Sequence, residues 1–171
     1  MAINLYDVTV ASSIQIVGAV AGVLQKGLEY LGEEQANELL SFRLTDDMLP
    51  MAFQLNSVRH HSLGAVQGMQ AGVFEPPPSL PAMNYSEFQT FIAETLEGLK
   101  AVSASDVNAF EGKPMLFKMG DFEVPFVCEN FALSFSVPNL MFHATTVYDM
   151  LRMKGVSLGK QDYLGQMRVG H

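Results

Sequence analysis

The feature that most constrains the fold is a charge-free helical segment near the N-terminus. From Val8 to Gln25 the chain contains no charged residue. Apolar residues recur there and just beyond at alternating steps of four and three, which places them along one side of an α-helix. This apolar stripe consists of Val10, Ile14, Val17, Ala21, Leu24, Leu28 and Leu31. An apolar side of a helix is stable when other helices cover it and shield it from water. The segment therefore predicts one helix of a helical bundle.

A charge-free stretch of this length must also be tested as a membrane span or a signal peptide. It contains Ser12, Ser13 and Gln15, and no basic residue precedes it. Neither feature is typical of a transmembrane helix or of a secretory leader. The single Cys128 excludes an internal disulfide framework, as is usual in a reducing compartment. We therefore expect a cytoplasmic protein with no membrane segment.

A second helix is predicted after the acidic pair Asp46 and Asp47, which suits a helix start, with Pro50 in the first turn. Asp46 and Asp47 could instead supply carboxylates to a functional site, but capping of the helix is sufficient to account for their presence. The helix is expected to run from about Met48 and to end at Gly72. Its inward stripe consists of Met51, Leu55, Val58, Ser62, Ala65 and Met69.

Two more helices follow. The pattern Ser86 to Gln89 fits reciprocal capping at the start of a third helix. A last long helix is expected from about Glu129 to Lys154, bent or divided at Pro138 because proline lacks a backbone donor.

Two segments between the predicted helices are predicted to be non-helical. Residues 75–84 contain four prolines and predict a stiff loop. Residues 115–118 and 122–124 read as two short strands around a turn containing Gly120, and so predict a β-hairpin. Together these elements predict one all-α domain over residues 1–171, a four-helix bundle with a small β-hairpin before the last helix.

Charge restricts the partners of this domain. Its 18 acidic and 10 basic residues give a net charge of −8, and the basic residues are scattered. A phosphate backbone would be repelled, so nucleic acid is not expected as a partner.

Two histidines, His61 and His143, fall on or beside the inward sides of the second and last helices. Successive helical residues lie about 100° apart. His61 therefore flanks the stripe, whereas the adjacent His60 is expected to point nearly opposite. Each inward histidine is open to two interpretations, a hydrogen-bonded core residue or a metal or proton-transfer group. If the pair converges without a metal, it could act as a general base and acid.

The sequence also resembles a known family. The resemblance rests on the opening Leu5-Tyr6-Asp7-Val8, on residues 59–65 (Arg-His-His-Ser-Leu-Gly-Ala), on residues 138–148 (Pro-Asn-Leu-Met-Phe-His-Ala-Thr-Thr-Val-Tyr) and on residues 155–160 (Gly-Val-Ser-Leu-Gly-Lys). These segments resemble an uncharacterised bacterial family grouped with the DinB/YfiT-like metalloenzymes. The resemblance covers nearly the full chain and implies a DinB-like four-helix bundle.

The resemblance implies a divalent metal, nickel or zinc, held by one histidine of the second helix and two at i, i+4 on the last. His61 and His143 match two of these ligands, but the third position is Val147, which has no donor atom. A third ligand would have to come from a neighbour or from water. The neighbours considered are Asp149, Tyr148, Glu129 and His60; the residues expected to line the cleft are His60, Ser62, Asn139 and Tyr148.

Two classes of function are therefore expected. The first is a metal-dependent enzyme that performs thiol transfer, hydrolysis or isomerisation on a small molecule. The second is a non-catalytic bundle that binds a small apolar or acidic ligand, or that dimerises. A homodimer is expected, as is common in the family. Phe53, Leu63 and Phe142 lie off the stripes, so either the hairpin and the proline loop or a second subunit would cover them.

Overall fold

The computed structural model describes residues 3–170, so the predicted domain limits at residues 1 and 171 lie outside it. The described chain is mostly helical and carries a three-stranded sheet. Its α-helices are α1 (Leu5–Val8), α2 (Val10–Leu39), α3 (Met51–Arg59), α4 (Ala65–Ala71), α5 (Tyr85–Lys100), α6 (Ala104–Asn108), α7 (Cys128–Phe131), α8 (Val137–Met153) and α9 (Lys160–Leu164). The strands are β1 (Val73–Phe74), β2 (Pro114–Met119) and β3 (Phe122–Val127), and the π-helical turns are π1 (His60–Gly64) and π2 (Ala132–Ser136).

Helix α2 contains the predicted stripe and packs against α5, α8 and α9. Val10, Val17 and Leu24 on this stripe are completely buried. By length and composition, the segment Leu5–Leu39 could cross a membrane, with a mean hydropathy of 1.6 in its most apolar window. Half of that window is buried inside the fold, as in the core helix of a globular domain.

Gly27 of α2 lies at a close contact of α2 with two neighbouring helices. The buried Tyr85 of α5 donates its hydroxyl to the Leu24 carbonyl at 3.0 Å. A Cβ added at Gly27 would lie 2.6 Å from the Tyr85 hydroxyl oxygen and 2.7 Å from Cδ2 of Leu151 on α8. Only glycine lets α2 approach both neighbouring helices this closely.

The second predicted helix is interrupted. It consists of α3, the π1 turn and α4, and it ends at Gly72 with a left-handed φ of 74°, as the sequence predicts. Its start differs from the prediction, because Pro50 precedes α3 instead of lying in its first turn. The acidic pair does not cap the helix, since Asp47 accepts a hydrogen bond from the Thr45 hydroxyl.

The third helix, α5, begins with a reciprocal capping box, but two residues earlier than predicted. The Asn84 side chain accepts from the Glu87 amide at 2.9 Å, and the Glu87 carboxylate accepts from the Asn84 amide at 2.7 Å. Ser86 and Gln89 do not form this box. Asparagine is as well suited to the cap position as serine, so the sequence contains two overlapping capping patterns. The structure uses the one that begins at Asn84.

The last long helix is built from α7, π2 and α8. Its interruption is the π2 turn, and Pro138 follows within the first turn of α8. Proline is tolerated there because the π2 turn directly before it already makes the helical hydrogen-bond pattern irregular.

The predicted strands belong to a three-stranded sheet in the order β1-β2-β3. Strand β2 pairs antiparallel with β3, and Gly120 between them has a φ of 60°. The short strand β1 pairs parallel with β2 and was not predicted. Helices α6 and α9 were also not predicted, since five residues are too few for a clear periodicity.

The three apolar residues left outside the stripes have different surroundings. Leu63 packs on α5, because a Cβ added at Gly98 would lie 2.6 Å from its Cδ2 atom. This contact with α5, which the sequence did not predict, accounts for the buried part of the half-buried Leu63. Phe53 is half-buried, and Phe142 remains 56% exposed.

The Gly27 packing predicts opposite effects for two alanine substitutions in one helix. Gly27→Ala should destabilise the protein by about 1–3 kcal/mol, because the new methyl group would overlap Tyr85 and Leu151. Gly22→Ala, with nothing within 4 Å of the added Cβ, should stabilise it by about 0.5–1 kcal/mol through helix propensity. Urea denaturation measures both. Equal effects would contradict the close approach at Gly27.

Candidate functional site

Two π-helical turns face each other where the predicted site residues lie. The π1 turn contains His60 and His61, and the π2 turn precedes the helix that carries His143. The Ser136 hydroxyl of π2 donates to the His61 carbonyl at 3.0 Å and is buried. Single π-helical turns within α-helices occur frequently at functional sites.

The structure brings the rings of His61 and His143 together. Their centroids are 5.7 Å apart and their planes differ by 14°, so the rings are stacked with an offset. Both residues are 9% exposed. Helix α3 packs along α8, and the π1 turn at the end of α3 also contacts α8.

A hydrogen bond fixes the tautomer of His143. The Gln54 amide donates from Nε2 to the Leu49 carbonyl at 2.8 Å, which turns its Oε1 atom toward His143. His143 Nδ1 lies 2.7 Å from that oxygen. Since an amide oxygen only accepts, Nδ1 carries the proton and Nε2 keeps its lone pair.

His61 has no comparable partner. Its Nδ1 atom is buried and has no hydrogen-bond partner among residues 3–170. The ring packs against Phe74 at 5.5 Å and Phe135 at 5.6 Å between centroids. A buried ring nitrogen without a partner is unusual, and it marks a place where a ligand or an ion would gain a contact.

His60 lies beside His61, which corrects the prediction that it points nearly opposite. The two ring centroids are 5.3 Å apart. The His60 ring stacks on Phe74 at 4.2 Å, and its Nε2 atom is 2.8 Å from the Glu75 carbonyl. Two changes explain the difference, because the π1 turn alters the angular spacing and β1 brings Phe74 against the ring.

Burial keeps the imidazoles uncharged. It lowers the pKa of His61 to about 3, with further lowering from the nearby His60 and His143. Burial and the nearby His60 lower the pKa of His143 to about 4. Burial also lowers the pKa of His60, against the opposing effect of the Glu75 carbonyl. With both inward rings neutral at pH 7, neither can serve as a general acid there, which disfavours a metal-free acid–base pair.

Of the considered third ligands, His60 lies beside the histidine pair, whereas Asp149, Tyr148 and Glu129 do not. Val147 is completely buried, and Asp149 is exposed. The Glu129 carboxylate accepts from the Gly112 amide at 2.8 Å, and the Tyr148 hydroxyl donates to the Leu158 carbonyl at 3.4 Å. Within residues 3–170, no group of three or more His, Cys, Asp or Glu side chains is arranged to hold a metal ion.

Two other predicted cleft residues, Ser62 and Asn139, donate hydrogen bonds to backbone carbonyls. The Ser62 hydroxyl donates to the Val58 carbonyl at 2.6 Å, and the Asn139 amide donates to the Phe135 carbonyl at 2.7 Å. Side-chain bonds of this kind pair carbonyl groups around irregular helical turns. Ser62 and Asn139 therefore pair with the backbone at the π turns and do not contact the imidazoles through these bonds.

A cavity lies next to the pair. Phe53 packs edge-on against His143 at 6.1 Å and also lines a cavity of about 370 Å³. The proline loop forms the outer wall of this cavity, and the Asn56 amide holds the loop by donating to the Pro78 carbonyl at 3.1 Å. A small molecule in this cavity would be separated from His143 by one phenyl ring.

Sequence reasoning missed Gln54, Phe74 and Phe135. Gln54 adjoins the stripe residue Leu55, and a polar residue beside a buried stripe is a usable signal for a buried hydrogen bond. The two phenylalanines carried no such signal, because the sheet pairing and the π2 turn bring them to the histidines.

Comparisons with known proteins agree with the architecture. Residues 5–164 match the model of a domain family described as a domain of unknown function, DUF1993. A crystal structure of a DinB family member from Shewanella denitrificans matches with a TM-score of 0.77 and 24% identity, over 98% of this chain and 95% of that chain. No curated protein is significantly similar in sequence. At this identity the structural match establishes the fold alone.

The lowered histidine pKa values predict a loss of stability in mild acid. An unfolded histidine has a pKa near 6.5, so below that pH the unfolded chain binds protons that the folded His61 and His143 do not. From pH 7 to pH 5 the free energy of unfolding should fall by roughly 2 kcal/mol for each of the two histidines, about 4 kcal/mol together. Urea denaturation across this range measures it. In a His61→Leu/His143→Leu variant the pH dependence should decrease and leave the part that His60 contributes; an unchanged slope would show that other groups cause it.

Proposed function

The chain belongs to the DUF1993 family and has the fold of a DinB family member, and from this premise we propose that it is a metal-dependent enzyme acting on a small molecule. His61 and His143 would hold a divalent ion, nickel or zinc. The remaining coordination positions would be filled by water and by the small molecule.

The observation that carries this proposal is the hydrogen bond between Gln54 and His143. Histidines that ligate metals commonly donate their other ring N–H to a fixed oxygen, which orients the ring and selects the tautomer. Gln54 provides that oxygen to His143. The neighbouring, nearly parallel ring of His61 adds a buried Nδ1 atom that has no hydrogen-bond partner within residues 3–170.

The donor set fits an ion only in part. Two neutral imidazoles supply two nitrogen donors, whereas catalytic zinc sites usually have three protein ligands and one open position. We therefore expect weak binding, with Ni²⁺ or Zn²⁺ favoured over harder cations because imidazole is the ligand. A bound ion would supply Lewis-acid activation of the small molecule or of a water.

The surrounding residues have separate roles in this proposal. Gln54 holds the His143 ring, and Phe74, Phe135 and Phe53 limit the access of water to the imidazoles. Limited hydration strengthens electrostatic interactions at the site. The cavity behind Phe53 would receive the apolar part of the small molecule.

The same proposal includes several properties of the whole protein. We place the long helices α2, α3–α4, α5 and α7–α8 in a DinB-like four-helix bundle with β2 and β3 as its hairpin. We place the protein in the bacterial cytoplasm as a homodimer. Exposed Phe142, one residue from His143, supports an interface close to the site.

A second candidate is a non-catalytic bundle that keeps the cavity and binds a small molecule without metal. The completely buried Val147 favours it, because an apolar residue stands where the resemblance implies the third ligand. In this candidate the two imidazoles act only as hydrogen-bonding groups.

Metal titration separates the two candidates. Isothermal titration of the metal-free protein with Ni²⁺ or Zn²⁺ should give about one ion per chain, lost in His61→Ala and in His143→Ala. Gln54→Met should weaken binding by about 10- to 100-fold, because the His143 ring loses its fixed tautomer. Gln67→Met, at an exposed position of α4, is the control and should bind like the wild type.

A gain-of-function variant strengthens the test. Val147→His adds an imidazole one helical turn after His143 and should tighten binding by at least about tenfold, whereas Val147→Leu adds volume without a donor and should not. Circular dichroism checks that each variant folds. If excess Ni²⁺ and Zn²⁺ leave the wild type unoccupied, the metalloenzyme is excluded and the ligand-binding bundle remains.

A further inference from the structure

A second and larger cavity lies away from the histidines. It has a volume of about 650 Å³ and lies between α2, α5 and the chain that follows α9. Ile14 and Gly18 of α2 form one side, and Leu96 of α5 forms another. We call this cavity the tail groove, because residues 165–169 form its third wall.

The third wall is held in place by specific bonds. The Gln15 amide donates to the Leu164 carbonyl at 2.8 Å, and Arg168 donates to the Asp7 carbonyl and the Ser12 hydroxyl, each at 3.2 Å. Asp162, just before this wall, pairs with Lys26 of α2 at 2.5 Å. The tail groove is therefore formed without a ligand, which removes part of the entropic cost of binding one.

The lining combines exposed apolar side chains with positive charge. Met167 is 55% exposed and Val169 is 75% exposed. Lys100 and Arg168 line the same groove in a chain with only 10 basic residues and a net charge of −8. Neighbouring acidic charge comes from Glu97, which pairs with Lys100 at 2.7 Å. Within residues 3–170, Arg168 has no carboxylate within ion-pair distance, so its charge remains available to a ligand.

We propose that the tail groove binds a free amphipathic anion, a small molecule with an apolar chain and a carboxylate or phosphate head. The apolar chain would cover Ile14, Leu96 and Met167, and burial of these surfaces would drive binding. The anionic head would lie at Lys100 and Arg168. This site is independent of the histidine pair, since it shares no lining residue with the cavity behind Phe53.

The charges favour a free molecule over a lipid in a bilayer. An anionic membrane repels a chain of net charge −8, and a surface with two basic residues lacks the basic cluster that membrane recruitment needs. A single head group meets only the local charge at Lys100 and Arg168.

Isothermal titration of the full chain with decanoate, below its micellar concentration, tests the proposal. We expect saturable binding of about one molecule per chain, and weaker binding of decanol, which has the same chain without the charge. Lys100→Gln and Arg168→Gln should each weaken decanoate binding by roughly fivefold, whereas Lys118→Gln on β2 should not. Equal affinities for decanol and decanoate would overturn the anionic head.

Two glycine substitutions in α2 test the location. Gly18→Leu should abolish binding by filling the groove, and it should leave the fold intact, because the nearest atom to an added Cβ is 3.9 Å away. Gly22→Leu, one turn later with nothing within 4 Å, is the matched control and should bind decanoate normally. Equal affinities of the two variants would overturn the tail groove as the site. Sedimentation with phosphatidylglycerol vesicles that is lost in Gly18→Leu would overturn the free molecule in favour of a membrane lipid.

Discussion

The rest of the structure depends on the close approach of three helices at Gly27. The missing side chain lets the Tyr85 hydroxyl reach the Leu24 carbonyl and lets Leu151 pack on the same surface. This contact sets the distance between α2 and its two neighbours. Because protein interiors are close-packed, that distance is transmitted to the helices that hold the histidines.

The histidine pair depends on irregular turns in otherwise regular helices. The π1 turn carries His61, the π2 turn precedes His143, and the Ser136 hydroxyl connects the two turns through the His61 carbonyl. Gln54 then selects the tautomer of His143. A regular helix would have directed His60 away from this cluster, and the π1 turn together with Phe74 brings it to His61.

The two cavities differ in the chemistry they present. The cavity behind Phe53 has no charged side chain in its lining and adjoins rings that stay neutral because burial lowers their pKa values. The tail groove is bordered by Lys100 and Arg168 and lies on α2 and α5. One small domain thus contains an uncharged cavity and a groove lined by two basic residues, and the two share no lining residue.

The sequence by itself determined the long helices, the end of α4 at Gly72 and the two strands around Gly120, because apolar periodicity and turn residues are local signals. It also determined which two histidines face inward. Only the tertiary structure decided that His60 joins them, that Gln54 orients His143 and that Leu63 packs on Gly98. The tertiary structure also decided the pairing of strand β1 and the formation of the tail groove, because both bring together segments that are far apart in the chain. Contacts between distant segments carry no periodic signature in the sequence, so their geometry emerges only when the helices pack.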